Sequence, residues 1–262
     1  MLLKVKNQKS KVKSNTARNV AVKIIIVLLI IHLSLFTSHS QVPIGNWREF
    51  LNYQNTIEVV KGDKIYCATK TNLFSVDANN EIERYNKITG LNDIGVSCIG
   101  WDNTTQQLVI VYNNSNLDVL KGSDVQNISD IKRSTISGNK SIYNIFCSNG
   151  FAYLCSGLGI IVADLSKFEI KDTWFIGSNG SQAKVNGFTT DGTYFYAATD
   201  EGLKRAAVNA NNLADFNNWF NLSGSNGLSV GAVKNILFTN NKIVAQKNDS
   251  LFVLNNNTWN LI

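Results

Sequence analysis

From residue 55 onward the chain alternates short apolar runs, rich in Ile, Val, Tyr and Phe, with clusters of Asn, Gly and Asp. Runs of about four to eight such residues bounded by turn formers predict strands and hairpins. Almost nothing in this stretch carries the 3.6-residue period of a helix. The runs also recur. Ile65-Tyr66-Cys67-Ala68-Thr69-Lys70-Thr71-Asn72-Leu73-Phe74-Ser75-Val76-Asp77 lines up with Ala152 to Asp164 and with Phe195 to Leu203, and more weakly with Val109 to Leu120 and Ile243 to Leu254. The matched apolar positions are Leu73, Leu117, Ile160, Leu203 and Leu251, spaced by 44, 43, 43 and 48 residues. A period of about 40–50 residues with several strands per unit is the signature of a β-propeller.

Each unit accommodates four strands; in the third they fall near 142–147, 151–156, 160–164 and 170–175. Blades pack face to face, so strands such as Leu108 to Tyr112 are apolar without strict alternation. The residues preceding the matched positions are Asn72, Asn116, Gly159, Gly202 and Ser250. Gly and Asn accept positive φ with least strain, so this position is expected to be the left-handed residue of the turn between the second and third strands. Aromatic residues recur on the outer strand: Tyr85, Trp174, Trp219 and Trp259. The expected fold is therefore all-β, a propeller of four-stranded blades with about five blades at 55–89, 96–136, 142–175, 185–222 and 232–262. Gly45-Asn46-Trp47 resembles Asn217-Asn218-Trp219, so residues 41–54 are expected to form an outer strand that closes a ring. The fifth unit already has its own outer strand at Thr258 to Ile262. The reading is an incomplete larger ring of seven blades in a truncated chain; a closed five-bladed ring is the alternative.

The listing of charges changes one impression. The 262-residue chain has a formal charge of +6, with 25 Lys and Arg against 19 Asp and Glu. Seven of the basic residues and no acidic ones lie in residues 1–40. The remainder holds 18 basic and 19 acidic residues, a net of −1, which gives no electrostatic footprint for nucleic acid. Both histidines, His32 and His39, are in the same forty residues, so the body has no Ser-His-Asp triad, Cys-His pair or histidine metal ligand. Those forty residues read as an address: a basic segment, an apolar run from Ile24 to Phe36, then Ser38-His39-Ser40 before Gln41. This is the pattern of a cleavable secretory signal, with cleavage near Ser40/Gln41. The run is shorter than the ~20 residues that span a bilayer. The chain is then expected to be exported to the periplasm or the outer-membrane surface. Cys67, Cys98, Cys147 and Cys155 sit in apolar runs and are expected to be free core thiols.

The start of the exported body, Gln41-Val42-Pro43-Ile44-Gly45-Asn46-Trp47-Arg48, resembles the N-terminal propellers of the PorZ family, components of the type IX secretion system of Bacteroidetes. So do Thr89 to Ser97, Leu108 to Leu117 with Asn113-Asn114-Ser115-Asn116, and Tyr196 to Leu203. The resemblance covers essentially all of 41–262. It implies a fold of two large propellers followed by a sorting domain, of which this chain holds part of the first. It implies a surface-associated scaffold in export and anchoring of cargo, beside a sortase-like peptidase and an outer-membrane barrel protein. It also implies contact with anionic lipopolysaccharide. The family offers no catalytic motif to carry over, and neither enzyme activity nor a cofactor is expected.

Few residues invite a site reading. Gly157-Leu158-Gly159 has no third glycine at dinucleotide spacing and opens no helix. Asp63, Asp102 and Asp191, with Asn149 and Asn240 at comparable places, read as turn residues rather than calcium ligands. The pairs Lys132-Arg133 and Lys204-Arg205 are the candidates for contact with an anionic glycan. An alternative function is the glycan-sensing periplasmic propeller of a two-component regulator; a propeller lyase or glycosidase using paired carboxylates is a more remote one.

Overall fold

The computed structural model of the chain describes residues 22–28 and 52–262. Residues 22–28 form a helix, α1. Among the described residues no helix is long and apolar enough to cross a membrane. The signal cleavage position lies outside the described residues, as does the closing strand expected at 41–54, except for 52–54, which are not strand.

Residues 56–261 form five four-stranded sheets, each an antiparallel meander in chain order. Blade 1 comprises Thr56–Lys61 (β1), Ile65–Thr69 (β2), Leu73–Val76 (β3) and Ile82–Tyr85 (β4). Blade 2 comprises Val96–Asp102 (β5), Gln107–Tyr112 (β6), Leu117–Lys121 (β7) and Asp124–Ile128 (β8). A single helical turn, Asp130–Arg133 (α2), follows. Blade 3 runs Ile142–Ser148 (β9), Phe151–Ser156 (β10), Ile160–Asp164 (β11) and Glu169–Trp174 (β12). Blade 4 runs Val185–Thr190 (β13), Tyr194–Thr199 (β14), Gly202–Ala207 (β15) and the two-residue Phe220–Asn221 (β16). Blade 5 runs Asn235–Thr239 (β17), Lys242–Lys247 (β18), Ser250–Asn255 (β19) and Thr258–Leu261 (β20). The propeller read from the repeat is the fold observed.

Successive inner strands pack side by side, β1 on β5, β5 on β9, β9 on β13 and β13 on β17. Four apolar cores result, one between each pair of neighbouring blades. Strand β6 shows why its sequence lacks alternation. Leu108, Ile110 and Tyr112 enter the core shared with blade 1, while Val109 and Val111 enter the core shared with blade 3. The outer-strand aromatics Tyr85, Trp174, Trp219 and Trp259 are all buried. Trp174 packs with Phe188, Phe195 and Trp219, ring centroids 6.0 to 6.5 Å apart, and this fixes blade 3 against blade 4. Among the described residues no core joins blade 5 to blade 1. The outward face of blade 1 exposes Val59, Ile65 and Ile82, and that of blade 5 exposes Leu237 and Leu251.

The turn between second and third strands departs from the sequence reading. Gly159 (φ 144°) and Gly202 (φ 142°) are left-handed as expected. Asn72, Asn116 and Ser250 are not; in blade 2 the left-handed residue is Ser115 (φ 63°), and in blade 5 it is Asn248 (φ 53°). Leu251 is 46% exposed, unlike Leu73, Leu117, Ile160 and Leu203, which are fully buried. The fifth hairpin extends one residue pair further than the fourth, so Phe252, across from the buried Ala245, takes the place that Leu203 holds across from Ala198, and Leu251 turns to the other face. A buried hydroxyl, not a shared φ, recurs in these turns: Thr69, Ser156 and Thr199 each donate to the carbonyl three residues on and accept from the turn amides. The abundance of Asn still has a conformational cause. Among the described residues thirteen non-glycine residues have positive φ, and ten of them are Asn.

The blades are also tied by polar bonds. The inner strands of blades 1 to 4 all bulge near their start, β1 between Thr56 and Glu58, β5 between Val96 and Cys98, β9 between Ile142 and Asn144, and β13 between Val185 and Gly187. Ser97, within the second bulge, donates to the Ile142 carbonyl of blade 3, and Asn186, within the fourth blade's, donates to Val233 ahead of blade 5. Glu58 accepts from the Ile99 amide of blade 2; burial raises its carboxyl pKa, partly offset by that bond. The four cysteines are free, and Cys98 and Cys155 are fully buried.

Candidate functional site

Antiparallel meanders place the first and third hairpin turns of every blade on one rim and the second turns and inter-blade connections on the other. Asp63, Asp102 and Asp191 lie on the first rim, and each is used in its own turn. Asp63 accepts from the Tyr66 hydroxyl, and Asp102 from Thr105 and from the Gly150 amide of blade 3. Asp191 accepts from the Thr193 and Tyr194 amides on Oδ1 and from the Tyr196 hydroxyl on Oδ2. Among the described residues no group of three or more acidic, His or Cys side chains is placed to hold a metal ion.

The structure separates the four basic residues singled out from the sequence. Lys132 and Arg133 lie on α2, in the connection from blade 2 to blade 3. Lys132 pairs with Asp93 at 2.8 Å and Arg133 with Asp130 at 3.2 Å. Asp93 is itself in the connection from blade 1 to blade 2, so Lys132 ties one connection to the next. Burial alone would raise the Asp93 pKa; the Lys132 ammonium and the Asn114 amide outweigh it and hold the carboxyl at about 2. An unfolded Asp titrates near 3.9. The contact therefore contributes fully above about pH 4 and is lost as pH falls toward 2. Lys132→Ala is expected to destabilise by at most about 1 kcal/mol at neutral pH, since Lys132 is well exposed. Urea midpoints of the two proteins should converge as pH is lowered from 5 to 2.

Lys204 and Arg205 are neighbours on β15, and successive side chains of a strand point to opposite faces. Lys204 faces blade 3. It is buried, donates to the Ile176 carbonyl and pairs with Glu201 at 2.8 Å. It lines a cleft of about 290 Å³ between Ser178, Glu201, Phe216 and Trp219. Arg205 faces blade 5. It stands directly across from Tyr196 in the ladder, and its guanidinium lies 4.4 Å over the Tyr194 ring. Burial, with Asp191, pushes the Tyr196 hydroxyl up to about 12, and Arg205 offsets part of this.

Arg205 opens on a larger cleft of about 450 Å³ on the first rim, between blades 4 and 5. Asp191, Tyr194, Tyr196 and Arg205 form one wall, and Phe238, Ile243 and Leu254 the other. Asn241, Lys242, Asn256 and Asn257 stand at the mouth. Of these, sequence reasoning singled out Arg205 as a candidate contact and Asp191 as a turn residue. The alternation of Tyr194 and Tyr196 around Phe195 carried a signal, because it puts both phenols on one face. The Asn pairs at 240–241 and 256–257 read only as turns, which is also their backbone role, with all four at positive φ.

Five four-stranded antiparallel blades with recessed inter-blade clefts define the chain as a β-propeller protein. The family model of the type IX secretion component PorZ, N-terminal beta-propeller domain, matches residues 65–220, and the chain belongs to that family. Among solved structures the chain is similar to PorZ of Porphyromonas gingivalis, described as an essential bacterial surface component of the type IX secretion system, at 23% identity and a TM-score of 0.69. The match covers 83% of this chain and 29% of that one, so the chain spans under a third of the length of PorZ. It is similar to the extracellular domain of a protein of B. thetaiotaomicron described as a hybrid two component system, at 13% identity and a TM-score of 0.58, over 85% of this chain and 30% of that one. It is also similar to the Cps50 (Swd1) β-propeller domain of Myceliophteria thermophila, at 8% identity and a TM-score of 0.54, over 79% and 70% of the two chains. Curated protein sequences give no match.

Proposed function

We propose that the chain is the exported, non-enzymatic binding scaffold of a type IX secretion system. In this reading residues 1–40 are a secretory signal cleaved near Ser40/Gln41, and 41–262 belong to an N-terminal propeller whose first strand, within 41–54, closes the ring. Membership of the PorZ propeller family carries the proposal. The partners are a sortase-like peptidase and an outer-membrane barrel protein, with anionic lipopolysaccharide as a further contact. The rims suit this role, because a rigid arc of blades displays loops from several units on one surface. Of the four basic residues, Arg205 faces the cleft between blades 4 and 5, which Asp191 also lines, and Lys132 and Arg133 offer exposed positive charge on the opposite rim.

The native ring in this proposal has seven blades. The exposed apolar faces of blades 1 and 5 support it. The test is an affinity pull-down of the tagged protein from the cell envelope. Recovery of the peptidase and the barrel protein is the expected result. Recovery of a histidine kinase instead would favour the second reading, a sensor, which rests on the likeness to the B. thetaiotaomicron extracellular domain.

A further inference from the structure

The chain carries four Asn-Gly pairs, beginning at Asn149, Asn179, Asn186 and Asn226. In such a pair the glycine amide nitrogen can attack the Asn side-chain carbon, because no Cβ on the second residue obstructs the approach. The attack needs a backbone that swings this nitrogen toward the carboxamide, and an N–H that is not held elsewhere. The fold denies these conditions to three of the pairs. Asn149 and Gly150 form the turn at the closed end of the β9–β10 ladder, and the Gly150 amide donates to the Asp102 carboxylate of blade 2. Asn186 sits in the bulge of β13, its carboxamide pinned to Asp200 and to the Val233 carbonyl. Asn179 is exposed, but the Gly180 amide donates to the Gly177 carbonyl, Phe216 packs on Gly180, and Ser178 is anchored twice to Glu201.

Asn226 is placed differently. It lies at the tip of a small hairpin in the connection from blade 4 to blade 5, closed by the bridge between Ser225 and Leu228. Its φ of 52° and the 91° of Gly227 are those of a type I′ turn. Ser225, Asn226 and Gly227 are exposed. Among the described residues neither the Asn226 carboxamide nor the Gly227 amide has a hydrogen-bond partner. Three bonds hold the tip: the Gly224 amide donates to Leu228, the Leu228 amide to Ser225, and the Trp259 amide of β20 to the Asn226 carbonyl at 2.7 Å. Ring closure requires the turn to open, and opening this tip disturbs no strand pairing within a blade, so it costs less here than at the other three pairs.

We propose that Asn226 is a site of spontaneous modification that gives the connection between blades 4 and 5 a carboxylate and a rearranged backbone. The Gly227 nitrogen bonds to Cγ of Asn226, the Cγ–Nδ2 bond breaks, and ammonia leaves with the Gly227 proton. Water then opens the cyclic imide at either carbonyl, giving aspartate or isoaspartate. One water is consumed, one ammonia is released, and nothing is oxidised or reduced. Isoaspartate lengthens the main chain by one atom. Gly227 lies so close to the Trp259 carbonyl that not even a Cβ would fit there, so the lengthened tip lifts from β20 and leaves the Trp259 amide to water. Either product also brings a negative charge to a cavity of about 150 Å³ that Asn226 and Arg205 both line.

The test follows the purified protein in warm, mildly alkaline buffer by peptide mapping, with isoaspartate located by methyltransferase labelling. Conversion of amide to acid is expected at Asn226 at least about fivefold faster than at Asn149, Asn179 or Asn186, the ratio that a small difference in local opening gives. In urea the four pairs should react at similar rates. Asn226→Gly keeps the positive φ and the backbone carbonyl and should abolish conversion at this position. Hydrogen exchange of the Trp259 amide should quicken at least about tenfold in the isoaspartate fraction, and less than about twofold in Asn226→Asp, whose main chain is unchanged. Four results would overturn the proposal: no conversion at Asn226, conversion as fast at another pair, a preference for Asn226 that persists in urea, or unchanged Trp259 exchange in the isoaspartate fraction. Aspartate without isoaspartate would overturn the backbone rearrangement.

Discussion

Asp118→Ala should lower the stability of the propeller by about 3 kcal/mol or more, from the loss of several charge-assisted bonds at one buried carboxylate. Asp118 lies in the third strand of blade 2 and is fully buried. Its Oδ2 accepts from the Tyr112 hydroxyl at 2.6 Å and from the Asn92 amide at 2.8 Å. Its Oδ1 accepts from the side chains of Asn92 and Asn127. One carboxylate thus joins the second, third and fourth strands of its blade to the connection arriving from blade 1. Truncation leaves the buried Tyr112 hydroxyl and the Asn92 amide without that acceptor. Asp118→Asn should cost about half as much, because one oxygen still accepts while the new NH₂ meets donors. The readout is the urea midpoint together with Tm, which should fall by roughly 6–12 °C for Asp118→Ala. A loss below about 1 kcal/mol would mean that water can replace the carboxylate and that the brace is unimportant.

Asp118 also shows where the sequence was silent. In sequence Leu117-Asp118-Val119 is a single acid in an apolar run, and nothing local shows that four donors from three elements converge on it. The repeat, by contrast, was legible because blade packing imposes the same burial at the same depth of every unit. Leu73, Leu117, Ile160 and Leu203 share that depth, and their periodicity is a direct trace of the architecture. Leu251 broke the pattern because the hairpin of blade 5 is one residue pair longer, and a change of hairpin length alters register without altering composition.

The basic pairs show a related limit of reading charge from sequence. Adjacency in sequence means proximity in a loop and opposition in a strand. Lys204 and Arg205 therefore ended in two different clefts, the first paired with Glu201 and the second stacked over Tyr194 in a cleft that Asp191 also lines. Lys132, read as a ligand contact, is a brace to Asp93. Which cation is free to act depends on where the carboxylates fall in three dimensions, and no composition or spacing argument reaches that.

Gly159→Ala should be as damaging as the loss of the Asp118 carboxylate, and through a different link in the chain from sequence to fold. Gly159 ends the turn between β10 and β11 at φ 144°, a conformation L side chains rarely adopt. A Cβ at this position would run into the backbone carbonyl oxygen of Trp174. That carbonyl belongs to the outer strand, whose indole is wedged between blades 3 and 4 against Trp219, Phe188 and Phe195. Neither partner can yield cheaply. Moving the turn breaks the bonds from the Ser156 hydroxyl and amide to the Gly159 carbonyl, and moving β12 displaces Trp174 from its core. Backbone strain of about 1–3 kcal/mol adds to the repacking cost of about 1–3 kcal/mol. The expected total is about 3–5 kcal/mol, read as a lower urea midpoint and as quenching changes in Trp fluorescence at the blade 3–4 boundary. Ala at Gly192 is the control. It too has positive φ, 88°, but a Cβ there meets nothing, so only the backbone term of about 1 kcal/mol should appear. Equal losses at the two positions would show that turn conformation alone sets the penalty. A clear excess at Gly159 would show that the outer strand of a blade is held by how closely the second turn approaches it.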